Sequence, residues 1–177
     1  MACENHVRAT PPRDRAAVQS VMMPSWREIE QREPEFARRV RRLFEGGRHK
    51  TIATLRADGS PRISGIECEF QGGELRFASM SGARKLADLT RDPRFALHGP
   101  TFHPEPGQEH EWPGEAKISG RALSTAAAPA DDGEPRGETA FIADVSEVVI
   151  TRLNADASRL VVESWTPDSG LRVTERE

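Results

Sequence analysis

Hydrophobic and polar positions divide this chain into an aperiodic start, a helical stretch and a long series of short alternating runs. Residues 1–23 follow neither a helical nor a strand period and mix Pro11 and Pro12 with Arg and Ala. They are expected to form a disordered N-terminal extension ahead of one domain spanning 24–177. Ser25 and Glu28 have the spacing of a capping box, in which hydroxyl and carboxylate would each satisfy a free backbone N–H. After Pro34, the residues Phe36, Ala37, Val40, Leu43 and Phe44 recur at helical spacing. They predict an N-terminal helix with one apolar stripe, stopped by Gly46-Gly47. Arg38, Arg39, Arg41 and Arg42 lie off that stripe. They read as a solvated face near the helix end that favours cations, with a polyanion site as the alternative.

From His49 onward the period shortens to two. Residues 50–56 are β-rich, and Ala57-Asp58-Gly59-Ser60 carries the Asp-Gly hairpin signal. Residues 61–70 continue as one strand, with Ile66, Cys68 and Phe70 on one face and Glu67 and Glu69 on the other. Gln71-Gly72-Gly73-Glu74 turns the chain into a third strand at 75–80. These three predict an antiparallel meander. A short helix follows at 84–91, with Leu86 and Leu89 facing inward and Asp92-Pro93 at its end. Further strands are predicted at 95–99, 115–123, 141–153 and 159–166, before a polar tail. Residues 100–114 hold four prolines and form a long excursion, and 124–138 read as a surface loop. The pattern predicts a mainly β protein of six to seven antiparallel strands with one short inserted helix. A closed barrel suits it, because closure removes exposed edges.

Composition narrows the function. A chain of 177 residues holds one domain plus an extension. Its net charge of −3 is uneven: residues 1–50 carry 11 basic and 7 acidic side chains, and residues 121–177 carry 6 and 11. A weakly acidic whole argues against a dedicated nucleic-acid binder. No apolar run is long enough to span a bilayer, and Glu4 and Asp14 interrupt any signal-like start. Cys3 and Cys68, the two cysteines, cannot form a metal quartet. A cytoplasmic protein with reduced thiols and no metal is expected.

The most informative segment is Ser79-Met80-Ser81-Gly82-Ala83-Arg84-Lys85. It places a strand end, a small-residue turn and a helix start in sequence, with two cations in the first helical turn. Cations there oppose the helix dipole at about 0.3–1 kcal/mol each. A phosphate on the free N–H groups reverses that penalty. Arg84 would hold phosphate oxygens bidentately and Lys85 as a point charge, with Ser79 and Ser81 as hydroxyl donors. The alternative is a surface Arg-Lys pair on a connecting helix.

With this motif the stretch from about residue 49 to 122 resembles the pyridoxamine 5'-phosphate oxidase-like split β-barrel family of flavin-binding proteins. The resembling runs are ATLRADGSPRISG (53–65), SMSGARK (79–85), LADLTRDPRFAL (86–97) and GEAKISGRA (114–122). The resemblance implies a split barrel at 24–177 that pairs as a homodimer, with FMN or a deazaflavin coenzyme in the groove between subunits. It implies that Arg84, Lys85 and Ser79 hold the phosphate. It also implies that backbone at Ile63, Ser64, Gly65 and Ile66 borders the ring, with Arg62, Met80 and Lys117 as further cofactor-binding candidates. Small residues suit that border, since a flat ring needs close backbone approach.

The C-terminal segment 164–177 departs from the vitamin-oxidising members. It has no histidine, and Arg172 alone does not rebuild their substrate grip. The expected activity is therefore hydride transfer to a small unsaturated or oxidised substrate, with no catalytic acid or base named. A non-enzymatic flavin or haem carrier of the same fold is the alternative. A barrel that serves only as an interaction module, through Arg38–Arg42, is another. The loop residues His103, Glu105, Glu109, His110 and Glu111 include possible metal ligands but share no fixed face. His98 ends a strand and reads as a satisfied barrel histidine or a proton donor, and Trp165 as core or dimer packing.

Overall fold

The computed structural model describes residues 25–125 and 137–176. The expected extension at 1–23 and most of the 124–138 loop lie outside the described residues. The elements run α1 (Trp26–Arg32), α2 (Pro34–Glu45), β1 (Lys50–Leu55), β2 (Pro61–Ile66), β3 (Cys68–Gln71), β4 (Glu74–Met80), α3 (Arg84–Arg91), β5 (Arg94–His98), a 3-10 turn (Glu109–Glu111), β6 (Glu115–Ser124), β7 (Glu138–Leu153), β8 (Leu160–Thr166) and β9 (Gly170–Arg176). Among the described residues the protein is mainly β, as expected. The strands number nine, however, and all pairings are antiparallel.

Two differences from the sequence reading explain the count. Residues 61–70 break at Glu67 into β2 and β3, and the polar tail pairs with β8 as β9. The break also dissolves the expected meander. β2 pairs with β1 and β3 pairs with β4, and the two stand at opposite ends of the path β2-β1-β5-β6-β7-β4-β3. A single residue links these end strands in the chain, so the sheet curls round without closing its hydrogen-bond ladder. The barrel is split rather than closed.

The long strand β7 makes the fork. β6 runs along one of its edges, while β4 pairs with Glu138–Ile142 and β8 with Val148–Leu153. Between them the β6–β7 register shifts at Ser119/Gly120, and Ser146 is left without a partner. Such a bulge bends the strand and raises its twist.

The apolar stripe of α2 is buried as expected, and with Trp26 and Ile29 of α1 it joins a core containing Ile52, Leu75, Phe77, Leu97, Ile118 and Ile150. Each such side chain contributes about 1.5–3 kcal/mol when removed from water. Phe70 of β3 packs between Trp26 and Phe44, with ring centroids 4.5 and 5.9 Å away. Trp165 lies fully in this core.

The capping box does not form. Ser25 makes no side-chain cap, and Glu28 instead pairs with Arg32 one turn on. Gly46 ends α2 in ordinary right-handed backbone. Its small size serves packing, since a Cβ there would lie 2.5 Å from the Phe102 ring. No helix among the described residues is long and apolar enough to cross a membrane.

Candidate functional site

The site grows from the junction of β4, α3 and the outer strand β2. β4 ends at Met80, and Gly82 turns the chain with a positive φ of 78° that favours glycine. α3 then starts at Arg84 with no side-chain cap and no acidic residue in its first turn. No carboxylate therefore offsets the positive end of its dipole, and two cations share the turn. Lys85 reaches across to β2 and donates to the Gly65 carbonyl at 2.9 Å.

Around that contact lies a cleft of about 430 Å³, walled by Gly65, Ile66, Ala78, Met80 and Lys85, with Arg48, His49, Glu67 and Glu138 across from them. Glu67 holds the far wall by pairing with Arg48 at 3.0 Å and with His49 at 3.7 Å. Past Arg48, Glu67 and Ala78 a second lobe of about 400 Å³ continues toward Lys50, Cys68 and Arg76. Lys50 is buried there, and its ammonium donates to the carbonyls of Arg48 and Cys68 at 3.1 and 3.3 Å. Burial pushes the Cys68 thiol up to about 11, so it stays protonated at neutral pH and is a poor nucleophile.

Four sequence-predicted residues meet in this cleft: Gly65, Ile66, Met80 and Lys85. Arg84 stands beside Lys85, exposed and without an ion pair or hydrogen bond among the described residues. Ile63 and Ser64 lie on the same strand, with Ile63 75% exposed.

Three others sit elsewhere. Arg62 turns to the buried carboxylate of Asp88 at 2.6 Å, which Thr54 also reaches at 2.9 Å. Ser79 faces inward with Leu75 and Phe77, and its buried hydroxyl has no hydrogen-bond partner among the described residues. Lys117 pairs with Glu115 on the outer sheet face, where Glu115 also meets His98 Nε2 at 3.2 Å. His98 is thus satisfied and lies outside the cleft wall. Among the described residues, no three His, Cys, Asp or Glu side chains gather as a metal site.

Arg48, His49, Glu67 and Glu138 were missed from the sequence. Arg48 and His49 precede β1, and only the register Lys50↔Ile66 carries them to the cleft. Neither residue carries a local signal for this, because the pairing of β1 with β2 is what brings them there.

The donor set fits a flat, phosphate-bearing ring. Two cations flank an uncapped helix start, which suits a phosphate. Among the described residues β2 pairs with β1 alone, so its other edge carries backbone groups outside the strand ladder. A Cβ placed on Gly65 would meet no atom within 4 Å, so the floor there is open backbone.

Comparison with solved structures supports the same architecture. A pyridoxamine 5'-phosphate oxidase-related, FMN-binding protein from Nostoc punctiforme PCC 73102 matches with a TM-score of 0.57 at 11% identity, covering 82% of this chain and 96% of its own. PhzG from Burkholderia lata 383, in complex with tetrahydrophenazine-1-carboxylic acid, matches at 0.54 and 13%, covering 81% and 87%. A Clostridium acetobutylicum protein of the pyridoxinephosphate oxidase family, related to general stress protein 26, matches at 0.52 and 11%, covering 80% and 96%. These likenesses concern the fold. No curated protein matches the chain. The family model described as pyridoxamine 5'-phosphate oxidase matches residues 36–163, from the first turn of α2 to the buried Glu163 of β8, and over that span the chain belongs to the pyridoxamine 5'-phosphate oxidase family.

Proposed function

We propose that this protein is an oxidoreductase that binds FMN or a deazaflavin coenzyme in the Lys85 cleft and acts on a small unsaturated or oxidised substrate. The observation that carries this reading is the meeting of an uncapped, doubly cationic helix start with an open strand edge. Hydride chemistry comes from the bound ring. Arg84 and Lys85 hold its phosphate, and the α3 dipole adds to their charge. Gly65 lets backbone approach the ring plane, and N–H groups of β2 outside the strand ladder donate to its polar edge. Arg62 acts at one remove: its ion pair with Asp88 fixes α3 against β2 and so sets the height of Lys85 over the floor.

The proposed assembly is a homodimer with the cleft at the subunit interface. Its support is an outer lane of short side chains across β2, β1, β5 and β6, where Ile63, Ala53, Ala96 and Ser119 stand side by side. The free Cys68 thiol supports the cytoplasm as its setting.

The test is an absorption spectrum of the purified protein, then titration with FMN and with the deazaflavin coenzyme. Charge-assisted hydrogen bonds contribute about 1.5–3 kcal/mol each. The double variant Arg84→Ala/Lys85→Ala should therefore bind at least about 100-fold more weakly. Binding of neither ligand by the native protein overturns the reading. Reduction of the bound ring by NAD(P)H separates an enzyme from a carrier.

A further inference from the structure

The arginines of α2 pose a question that the Lys85 cleft does not answer. Arg38 pairs with Glu35, Arg41 with Glu30 and Glu45, and Arg39 with Glu163. Arg42 has no carboxylate within ion-pair distance among the described residues. Glu163 is buried at 2% exposure and receives both Arg39 and Arg152 of β7, the latter at 2.7 Å. Two guanidiniums share one carboxylate, and Arg42, one turn from Arg39, adds a third positive charge. The Arg39 Nε is buried and has no hydrogen-bond partner among the described residues. A buried N–H without an acceptor is rare in folded proteins and marks a place where one is missing.

These three arginines rim a cleft of about 390 Å³ whose floor is apolar, made by Leu43, Phe102 and Ile150. Beyond Phe102 an apolar hollow of about 480 Å³ continues between Trp112 and Leu153. Neither shares a residue with the Lys85 cleft. Volumes of this size fall in the ordinary range for small-ligand sites, about 300–1,000 Å³. The shape is polar at one end and greasy at the other.

We propose that this cleft is a second binding site, for a small carboxylate on an alkyl or aryl body. The planar carboxylate suits guanidinium forks, which bind it bidentately. Glu163 holds Arg39 and Arg152 in place before any ligand arrives, so little side-chain entropy is lost on binding. Arg42 supplies the charge that Glu163 does not neutralise. The apolar floor takes the body of the ligand and selects against small, fully hydrated anions. The Gly46–Phe102 contact fixes the floor at the point where α2 ends.

The experiment is a titration of the ¹⁵N-labelled protein, followed by amide chemical shifts, with octanoate, acetate and octylammonium. Octanoate should shift Gly46, Phe102, Ile150 and Arg152 and saturate. Acetate should need at least tenfold higher concentration, and octylammonium should leave these amides in place. Arg42→Glu should weaken octanoate at least tenfold with the rest of the spectrum intact, since Arg42 is exposed and holds no partner among the described residues. Phe102→Ser should weaken octanoate but not acetate. Octanoate shifts centred on Gly65 and Lys85, equal affinity in Arg42→Glu, or equal binding of octylammonium would overturn the proposal.

Discussion

A buried carboxylate is stable only where donors meet it, and Asp88 shows what such a group is for. It is 3% exposed and accepts from Arg62, Thr54 and Arg91, which joins α3 to β1 and β2. The Arg62 guanidinium beside it holds its carboxyl below the usual aspartate range, with Thr54 and Arg91 adding to the effect and burial opposing it. A depressed folded-state value contributes stability above the unfolded value of about 3.9, and that stability is lost as pH falls through the folded value. Asp88→Asn should therefore cost about 1–3 kcal/mol at pH 7, because it leaves Arg62 without its counter-charge. The gap between native and variant should narrow in urea unfolding at pH 3. A gap that persists unchanged would mean that shape, not charge, ties α3 down. Gly65 makes the opposite case. Its would-be Cβ has open space, so Gly65→Ala should leave the urea midpoint nearly unmoved. The methyl would stand on the cleft floor, and FMN titration should show at least a tenfold loss.

At the scale of elements, the fork in β7 depends on one glycine. A Cβ on Gly120 would lie 2.1 Å from the Asp144 carbonyl oxygen, and backbone cannot retreat as a flexible side chain can. Gly120→Ala should force the β6–β7 bulge apart at about 1–3 kcal/mol, the usual cost of overpacking. Urea denaturation checks this, and a neutral result would mean that the register shift tolerates a further opening. The same region shows what a sequence can reveal. Strands such as β5 and β6 were legible because their apolar residues alternate within single elements, as do Phe95 and Leu97, or Ala116 and Ile118. The helix start at Arg84-Lys85 was legible because cations are misplaced there in the absence of an anion. The break at Glu67 was not, since alternation runs undisturbed from Ile66 to Phe70 on both sides of it. β9 was hidden for another reason. From Arg172 to Arg176 it is exposed, and its order comes from β8, a partner that local pattern does not encode. Arg48 and His49 carry no signal of their own and reach the cleft only through pairing.

At the scale of the molecule, the question is what covers the outer face of β2, β1, β5 and β6. The register sets Ile63, Ala53, Ala96 and Ser119 in one lane, and four strands at about 4.8 Å spacing make it roughly 14 Å wide. Short side chains make it flat, and Ile63 at 75% exposure stands at its edge beside the open side of β2. A monomer gains nothing from an isoleucine in water. An isologous dimer, in which each copy offers the same face, buries it twice. Ile63→Glu then places two carboxylates in that interface, where unpaired charges are costly to desolvate. Light scattering on eluting protein should find a dimer for the native chain and a monomer for the variant. Ile63 stands two residues from Gly65 on the same face of β2, so Ala96→Glu, in the same lane two strands away, is the variant whose FMN affinity reports on the assembly rather than on the cleft itself. A monomeric variant that loses FMN means that the partner subunit completes the cleft. A monomeric variant that keeps FMN means that Lys85, Gly65 and the α3 start suffice within one chain, and the interface then serves stability alone. A variant that stays dimeric moves the interface to another face and removes the lane from the argument.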